Sequence, residues 1–201
     1  MNKQRLEIAV QAARLLAEDG SMDYFSAKQK AVKICGANNR LDLPTNLEIE
    51  TQLKIFQSLD DPAERRALLH DMREDALRVM QLFEQFDPML VGAVLEGTAV
   101  DNSPIEIHIF ADSVKEVAIF LLGEKIPFES LDQTLRLNKH EAFDVPVLQL
   151  YMEEREIMLS VLEYKMLRQK PISPISLRPM ARANIKKVKS LLEGASGCDL
   201  Q

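Results

Sequence analysis

Cysteine is scarce in this 201-residue chain: Cys35 and Cys198 stand far apart, and neither has metal-ligand spacing around it. That excludes a disulfide framework and a cysteine-based zinc site, and it leads us to expect free thiols in a reducing compartment, the cytoplasm. Long apolar runs are missing too. Nothing approaches the roughly 20 residues a membrane helix requires, and Met1 to Leu6 lead into an amphipathic stretch already carrying Glu7 and Glu18, so neither a membrane span nor a signal peptide is expected. Positive charge is in deficit. A formal net charge of -6 argues against sequence-independent wrapping of nucleic acid, which needs a large cationic surface, although a local basic patch remains open. The chain shows no internal repeat, low-complexity tract, Walker loop, Ser-His-Asp constellation or paired-acid hydrolase signal.

What is present is ordinary globular material: 46% hydrophobic and 28% charged residues, enough for one ample core or for a helical unit joined to a small mixed one. The first half reads as helices. Leu6, Ala9, Ala13 and Leu16 recur at helical spacing between Arg5 and Glu18, with Gly20 as the stop, and a second helix is expected after Ser26. Thr45 and Glu48 have capping-box spacing before Leu47, Ile49, Leu53 and Phe56. Asp61-Pro62 predicts the start of a long fourth helix, burying Leu68, Leu69, Met72, Leu77, Met80 and Phe83 and ending near Asp87-Pro88.

From Met89 the period changes from 3.6 to 2. Strands are expected over Leu90 to Leu95 and Ile105 to Phe110, where Ile105, Ile107 and Ile109 alternate with Glu106 and His108. Ser113 and Glu116 repeat the capping-box spacing and predict a helix through Leu122, closed by Gly123. Further strands are placed at Phe128 to Leu137, Phe143 to Met152 and Glu156 to Glu163, the last two forming a hairpin through Glu153-Glu154-Arg155, with Pro146 at a strand start or edge. A proline-rich loop from Pro171 to Pro179 precedes a last helix over Ala183 to Glu193. The expected class is α+β: a helical region over residues 1–87, then a mixed domain over 88–201 with a C-terminal helix.

The informative stretch runs from Leu90 to Ile109: an apolar run, Gly92, Gly97, then Ser103-Pro104-Ile105-Glu106 opening the alternating strand. It resembles the signature of the DNA polymerase beta-type nucleotidyltransferase superfamily, in which a Gly-Ser turn and a second glycine precede Ser-Asp-x-Asp on the next strand. Gly92 matches the first glycine, Gly97 the second and Ser103 the serine; Ala93 replaces the turn serine, Pro104 the first aspartate and Glu106 the second. The segments Asp23 to Lys30, Leu167 to Pro174 and Arg178 to Met180 also resemble a bacterial family of nucleotidyltransferase-like proteins in which a helical half precedes a degenerate core. The resemblance implies a nucleotidyltransferase-like mixed sheet, a nucleoside triphosphate as ligand and Mg²⁺ or Mn²⁺ as cofactor if the chain is active. Backbone amides at Gly92, Ala93 and Gly97 would cradle phosphate with Ser103, and Glu106 would be the surviving catalytic acid and metal ligand. A third acid would come from the later hairpin, where Glu156 and Met158 are both open and Met158 would supply no ligand.

Period 2 puts His108 on the face of Glu106, so Glu106, His108 and Glu156 form a candidate metal set, unless His108 simply lines an unused cleft. The glycines equally admit a tight bend with no ligand. Between Tyr164 and Leu192 stand eight basic residues and no acidic one. Of these, Arg168, Lys170 and Arg182 are the candidates for phosphate binding; a solvated helix face is the alternative, since no aromatics interleave for base stacking. Three functional readings follow. The leading one is a catalytically impaired nucleotide-binding or scaffold protein. The second is an active transferase moving a nucleoside monophosphate to a hydroxyl. The third is an interaction module that meets a protein partner or a second copy through the N-terminal helices.

Overall fold

In the computed structural model, which describes residues 3–36, 43–138 and 140–196, seven α-helices and a five-stranded mixed sheet make an α+β fold. The helices of the first half are α1 (Lys3–Glu18), α2 (Tyr24–Ile34), α3 (Asn46–Gln57) and α4 (Pro62–Leu82). Their starts follow local chemistry. Asp23 caps α2 by accepting from the Ser26 amide, three residues earlier than the expected start, and Asp61 caps α4 by accepting from Ala63 with Pro62 in the first turn. The Thr45–Glu48 capping box opens α3 as the spacing predicts, and Arg5 of α1 closes on Glu48 at 2.6 Å, tying the two helices together.

The mixed half follows as β1 (Met89–Val91), α5 (Gly92–Glu96), β2 (Ile105–Phe110), α6 (Val114–Gly123), β3 (Phe128–Arg136), β4 (Ala142–Met152), β5 (Arg155–Leu162) and α7 (Ile185–Ser196). Sheet order is β1-β2-β5-β4-β3, with β2 and β5 parallel and every other pair antiparallel. Three expectations are corrected. The strand placed over Leu90 to Leu95 stops at Val91, because Gly92 turns the chain at φ 69° and residues 92–96 coil into α5. The run Val94-Leu95 is apolar for packing rather than for pairing. Ser113 stands at the N-cap of α6 but makes no side-chain cap bond. Pro146 lies inside β4, at neither start nor edge. It is paired with Asp132 of β3, and its missing N–H falls where the ladder to β5 has ended, since that ladder begins at Val147.

Two cores hold the molecule. Ile8, Ala9, Ala12, Ala13, Leu16, Ala27, Ala31, Ile49 and Leu53 join α1, α2 and α3 in one small-residue-rich cluster. The larger core takes one face of the sheet, including Ile105, Ile107, Ile109, Ile157 and Leu159, and packs it on Met72, Ala76, Val79 and Met80 of α4, Val117 and Leu121 of α6 and Val188 of α7. So α4, assigned by sequence to the helical N-terminal region, contributes its buried stripe to the sheet. The opposite face of β2 carries Glu106 and His108.

Candidate functional site

Gly92 and Glu106 are the centre of the site. Val91 pairs with Glu106 across β1 and β2, and the chain leaves Val91 at a left-handed glycine so tight against β2 that a β-carbon on Gly92 would run into the Glu106 carboxylate. Any side chain there would meet both strain and a clash. The Glu106 carboxylate itself therefore covers the Gly92 turn. Burial, reinforced by the charge of Glu96, pushes the Glu106 carboxyl above the usual range.

Two residues along β2, His108 is 2% exposed. Its Nδ1 accepts from Arg182 Nε at 3.2 Å, so the neutral ring carries its proton on Nε2. Burial, helped by the Arg182 charge, holds its pKa down to about 3. Arg182 also donates to the Met166 carbonyl at 2.6 Å and stands over the Phe110 ring at 5.3 Å, while its Nη2 is buried with no hydrogen-bond partner. Burial lowers its pKa to about 10, which leaves it cationic. Of the three basic residues singled out by sequence, Arg182 is brought to the face of Glu106 and His108, whereas Arg168 and Lys170 are exposed.

The other motif positions are committed to backbone. The amides of Gly97 and Thr98 both donate to the Ala93 carbonyl, closing α5, with Gly97 left-handed at φ 80°. Arg65 of α4 then donates to the Gly97 carbonyl at 2.5 Å and to Gln57 at 2.9 Å. Ser103 Oγ accepts from the Val100 amide at 2.9 Å within a turn, and Gly20 packs so close that its β-carbon would stand 2.6 Å from Ser103. The geometry at Gly97 and Ser103 is thus that of a bend.

Glu106 is opposite Met158, and Glu156 lies two residues before it, accepting from Gln149 Nε2 at 2.5 Å. The set Glu106, His108 and Glu156 does not suit the two-ion centre that the resemblance implies: the histidine nitrogen nearest a donor is taken by a guanidinium, and the registered partner is a thioether. Among the described residues, the one trio of metal-capable side chains with ligand atoms within 4.8 Å of one another is elsewhere, at His70, Asp71 and Glu74 on the outer side of α4.

The helical half meets the mixed half through polar contacts at both ends of α3. Gln57 Nε2 donates to the Thr98 carbonyl at 2.9 Å, and Asn46 Nδ2, at the other end of α3, donates to the Pro174 carbonyl at 3.0 Å. Between them Glu50 is 3% exposed and accepts the hydroxyl of Tyr24. Burial and the charges of Glu50, Glu96 and Glu106 all raise the Tyr24 pKa, and burial followed by the Glu50 charge raises that of Glu96. Sequence reasoning missed Tyr24, Glu50, Arg65 and Glu96. The available signal was Glu50 itself, which shares the buried stripe of α3 with Leu53 and Gln57, a place where an unpaired acid is rare. An open cleft of about 600 Å³ lies elsewhere, at the far ends of β2 and β5, lined by Asp112, Ser113, Phe143, Glu163 and Met166 among others. No protein-family model matches the chain, and no curated protein matches it.

Proposed function

We propose that the chain is a nucleotidyltransferase-like protein, impaired in catalysis, that binds a nucleotide or serves as a regulatory scaffold. The observation that carries this reading is the joint placement of the Gly92 turn, the Glu106 carboxylate and the Arg182 guanidinium on one face of β1 and β2. Arg182 has a buried Nη2 in need of an acceptor, which a phosphate oxygen would satisfy. Impairment is the reading of Pro104, which stands where the resemblance asks for an acid, and of Met158, the residue opposite Glu106 on β5. Calorimetric titration with ATP, GTP, CTP and UTP, each with Mg²⁺, with Mn²⁺ and with chelator, tests it. Binding of one nucleotide that weakens about tenfold or more in Arg182→Ala is the expected result; no heat with any of the four up to millimolar concentrations would sink the nucleotide reading. Glu106→Ala separates the active alternative, since a transfer reaction that survived it would not depend on the one motif acid left on β2.

A second reading has its own support. The helical half presents Phe25 at 71% and Leu59 at 81% exposure, with Ile34 and Ile55 also largely open, more apolar surface than a solvated bundle needs. A scaffold meeting a protein partner or a second copy through these helices would show it in sedimentation velocity. Self-association abolished by Phe25→Ser with Leu59→Ser supports that reading, and a monomer at all concentrations removes the second copy from it.

A further inference from the structure

We propose that β3 is a docking edge for a second copy of this chain: residues 128–134 of the two copies pair antiparallel about a two-fold axis at Leu131, joining the two sheets edge to edge. The inference takes nothing from the nucleotide reading above and uses a surface other than the exposed helical residues Phe25 and Leu59.

β3 ends the sheet, with β4 as its one neighbour. Its 9 residues, Phe128–Arg136, pair with β4 in unbroken register, without a bulge. Two contacts show which backbone groups point outward. The Leu137 amide donates to the Glu141 carbonyl, on the β4 side, whereas the Arg136 carbonyl accepts from the Ile172 amide at 2.7 Å, away from β4. Because the two sides of a strand alternate residue by residue, Phe128, Ser130, Asp132 and Thr134 turn their N–H and C=O outward as Arg136 does. Ile172 takes the edge at Arg136; from Phe128 to Thr134 no strand among the described residues meets it. The side chains of residues 129–134 are exposed on both faces, so nothing in the described chain overhangs this stretch. It also lacks the usual protections of an open edge, having no proline, lysine or bulge between Phe128 and Thr134.

An open edge can take any extended chain; what selects a second copy is the sequence of the edge itself. A two-fold axis normal to the sheet pairs outward residues with outward residues, so each register is defined by the residue on the axis. With the axis at Asp132, two carboxylates stand directly opposite, and Phe128 must pair with Arg136, whose carbonyl is already taken. With the axis at Gln133, Ser130 meets the same blocked Arg136. An axis at Ser130 sets Thr134 against Ile126, whose amide is already given to Leu121 at 3.0 Å. Only the axis at Leu131 uses the whole free edge: Phe128 meets Thr134 and Ser130 meets Asp132, every one of them outward and free. The side chains agree with that register. Leu131, 41% exposed, faces its own copy; the Ser130 hydroxyl can donate to Asp132 of the second copy, and the Gln133 amide to Glu129 of the second copy.

The test combines sedimentation velocity on the full chain with a cross-link that reads the register. Ser130→Pro removes an outward N–H and leaves the β4 ladder intact, and Leu131→Lys sets a charge on the axis against its own copy. So short a strip falls below the roughly 800 Å² per partner of a standard interface, so association is expected near about 100 µM, with dissociation on dilution. Each variant is expected to weaken it about tenfold or more. Residues facing each other in a non-hydrogen-bonded pair come within disulfide reach. Leu131→Cys, with Cys35→Ser and Cys198→Ser, is therefore expected to form a disulfide dimer under mild oxidation, and Asp132→Cys in the same background is not. A chain that stays monomeric to about 1 mM overturns the proposal and leaves the edge to a strand of another protein. So does a dimer that Phe25→Ser with Leu59→Ser abolishes and Leu131→Lys leaves unchanged, which would be association through the helices. If Ser130→Pro does not fold, Leu131→Lys, at an exposed side chain, and the cross-link decide.

Discussion

At the scale of single residues, His108 shows how far burial can override a side chain's intrinsic chemistry. An imidazole with an ordinary value of 6.5 is held near 3, first by burial and then by Arg182. Because the folded value lies below the unfolded one, the chain unfolded at mildly acid pH binds a proton that the folded chain refuses. The stability tied to neutral His108 is complete above about pH 6.5 and is lost as pH falls from there towards about 3, by up to about 1.4 kcal/mol per pH unit at the steepest. Urea unfolding across that range should show this slope, and His108→Gln should flatten it; an unchanged slope would mean that other groups carry it. The sequence placed His108 and Glu106 on one face from the period of β2 alone, because alternation is a strictly local property. It could not show that Arg182, 74 positions later, would take the Nδ1. Nor could it choose between Glu156 and Met158, since strand register is fixed by contacts that no single strand contains.

Elements were legible where their signals were local. The Thr45–Glu48 capping box and the Asp61-Pro62 start form as their spacing predicts, because a cap is an exchange between side chains and amides two or three residues apart. Glu48 does more than cap: hydrogen bonds from Arg5 hold its carboxyl down to about 2, against an ordinary value of 4.5. A lowered folded value means stability present above about pH 4.5 and lost as pH falls towards 2. Glu48→Ala is therefore expected to cost about 1 kcal/mol near neutrality, from the lost side-chain half of the capping box and the lost Arg5 contact, and to shed part of the acid sensitivity of the helical half. Circular dichroism against urea at pH 7 and pH 3 measures both. Where the local signal is ambiguous, packing decides the element. The run from Leu90 to Leu95 is short and apolar, a pattern that a strand and a buried helical turn share, and only the turn at Gly92 against β2 decides between them. Ser113 and Glu116 have the spacing of a box without forming one.

For the whole molecule, the α+β class and the order of helices before sheet are legible in the sequence, but the division of the cores is not. α4 looks like its three predecessors in period, yet its buried stripe belongs to the sheet, and only packing assigns it. The junction between the two cores is close and polar: Gly20 against Ser103, Gln57 on Thr98, Asn46 on Pro174. Gly20→Val should therefore force the end of α1 away from the Val100–Ser103 turn, with little effect on the core of either half. Hydrogen exchange followed by mass spectrometry would show it as faster exchange in α3 and around residues 97–103, with β4 and β5 unchanged. Equal acceleration everywhere would mean that the two halves unfold as one unit.

The parallel pairing of β2 with β5 also sets a timetable. β2 finds its central partner roughly fifty residues further along the chain, after α6, β3 and β4 have been made. During synthesis α1, α2 and α3 can gather their small-residue core from neighbours alone, while Ile105, Ile107 and Ile109 must wait with one edge of their strand unpaired. The nascent chain is thus most prone to wrong association between the emergence of β2 and that of β5, and the antiparallel β4–β5 hairpin, closed by two residues, is the event that ends the wait.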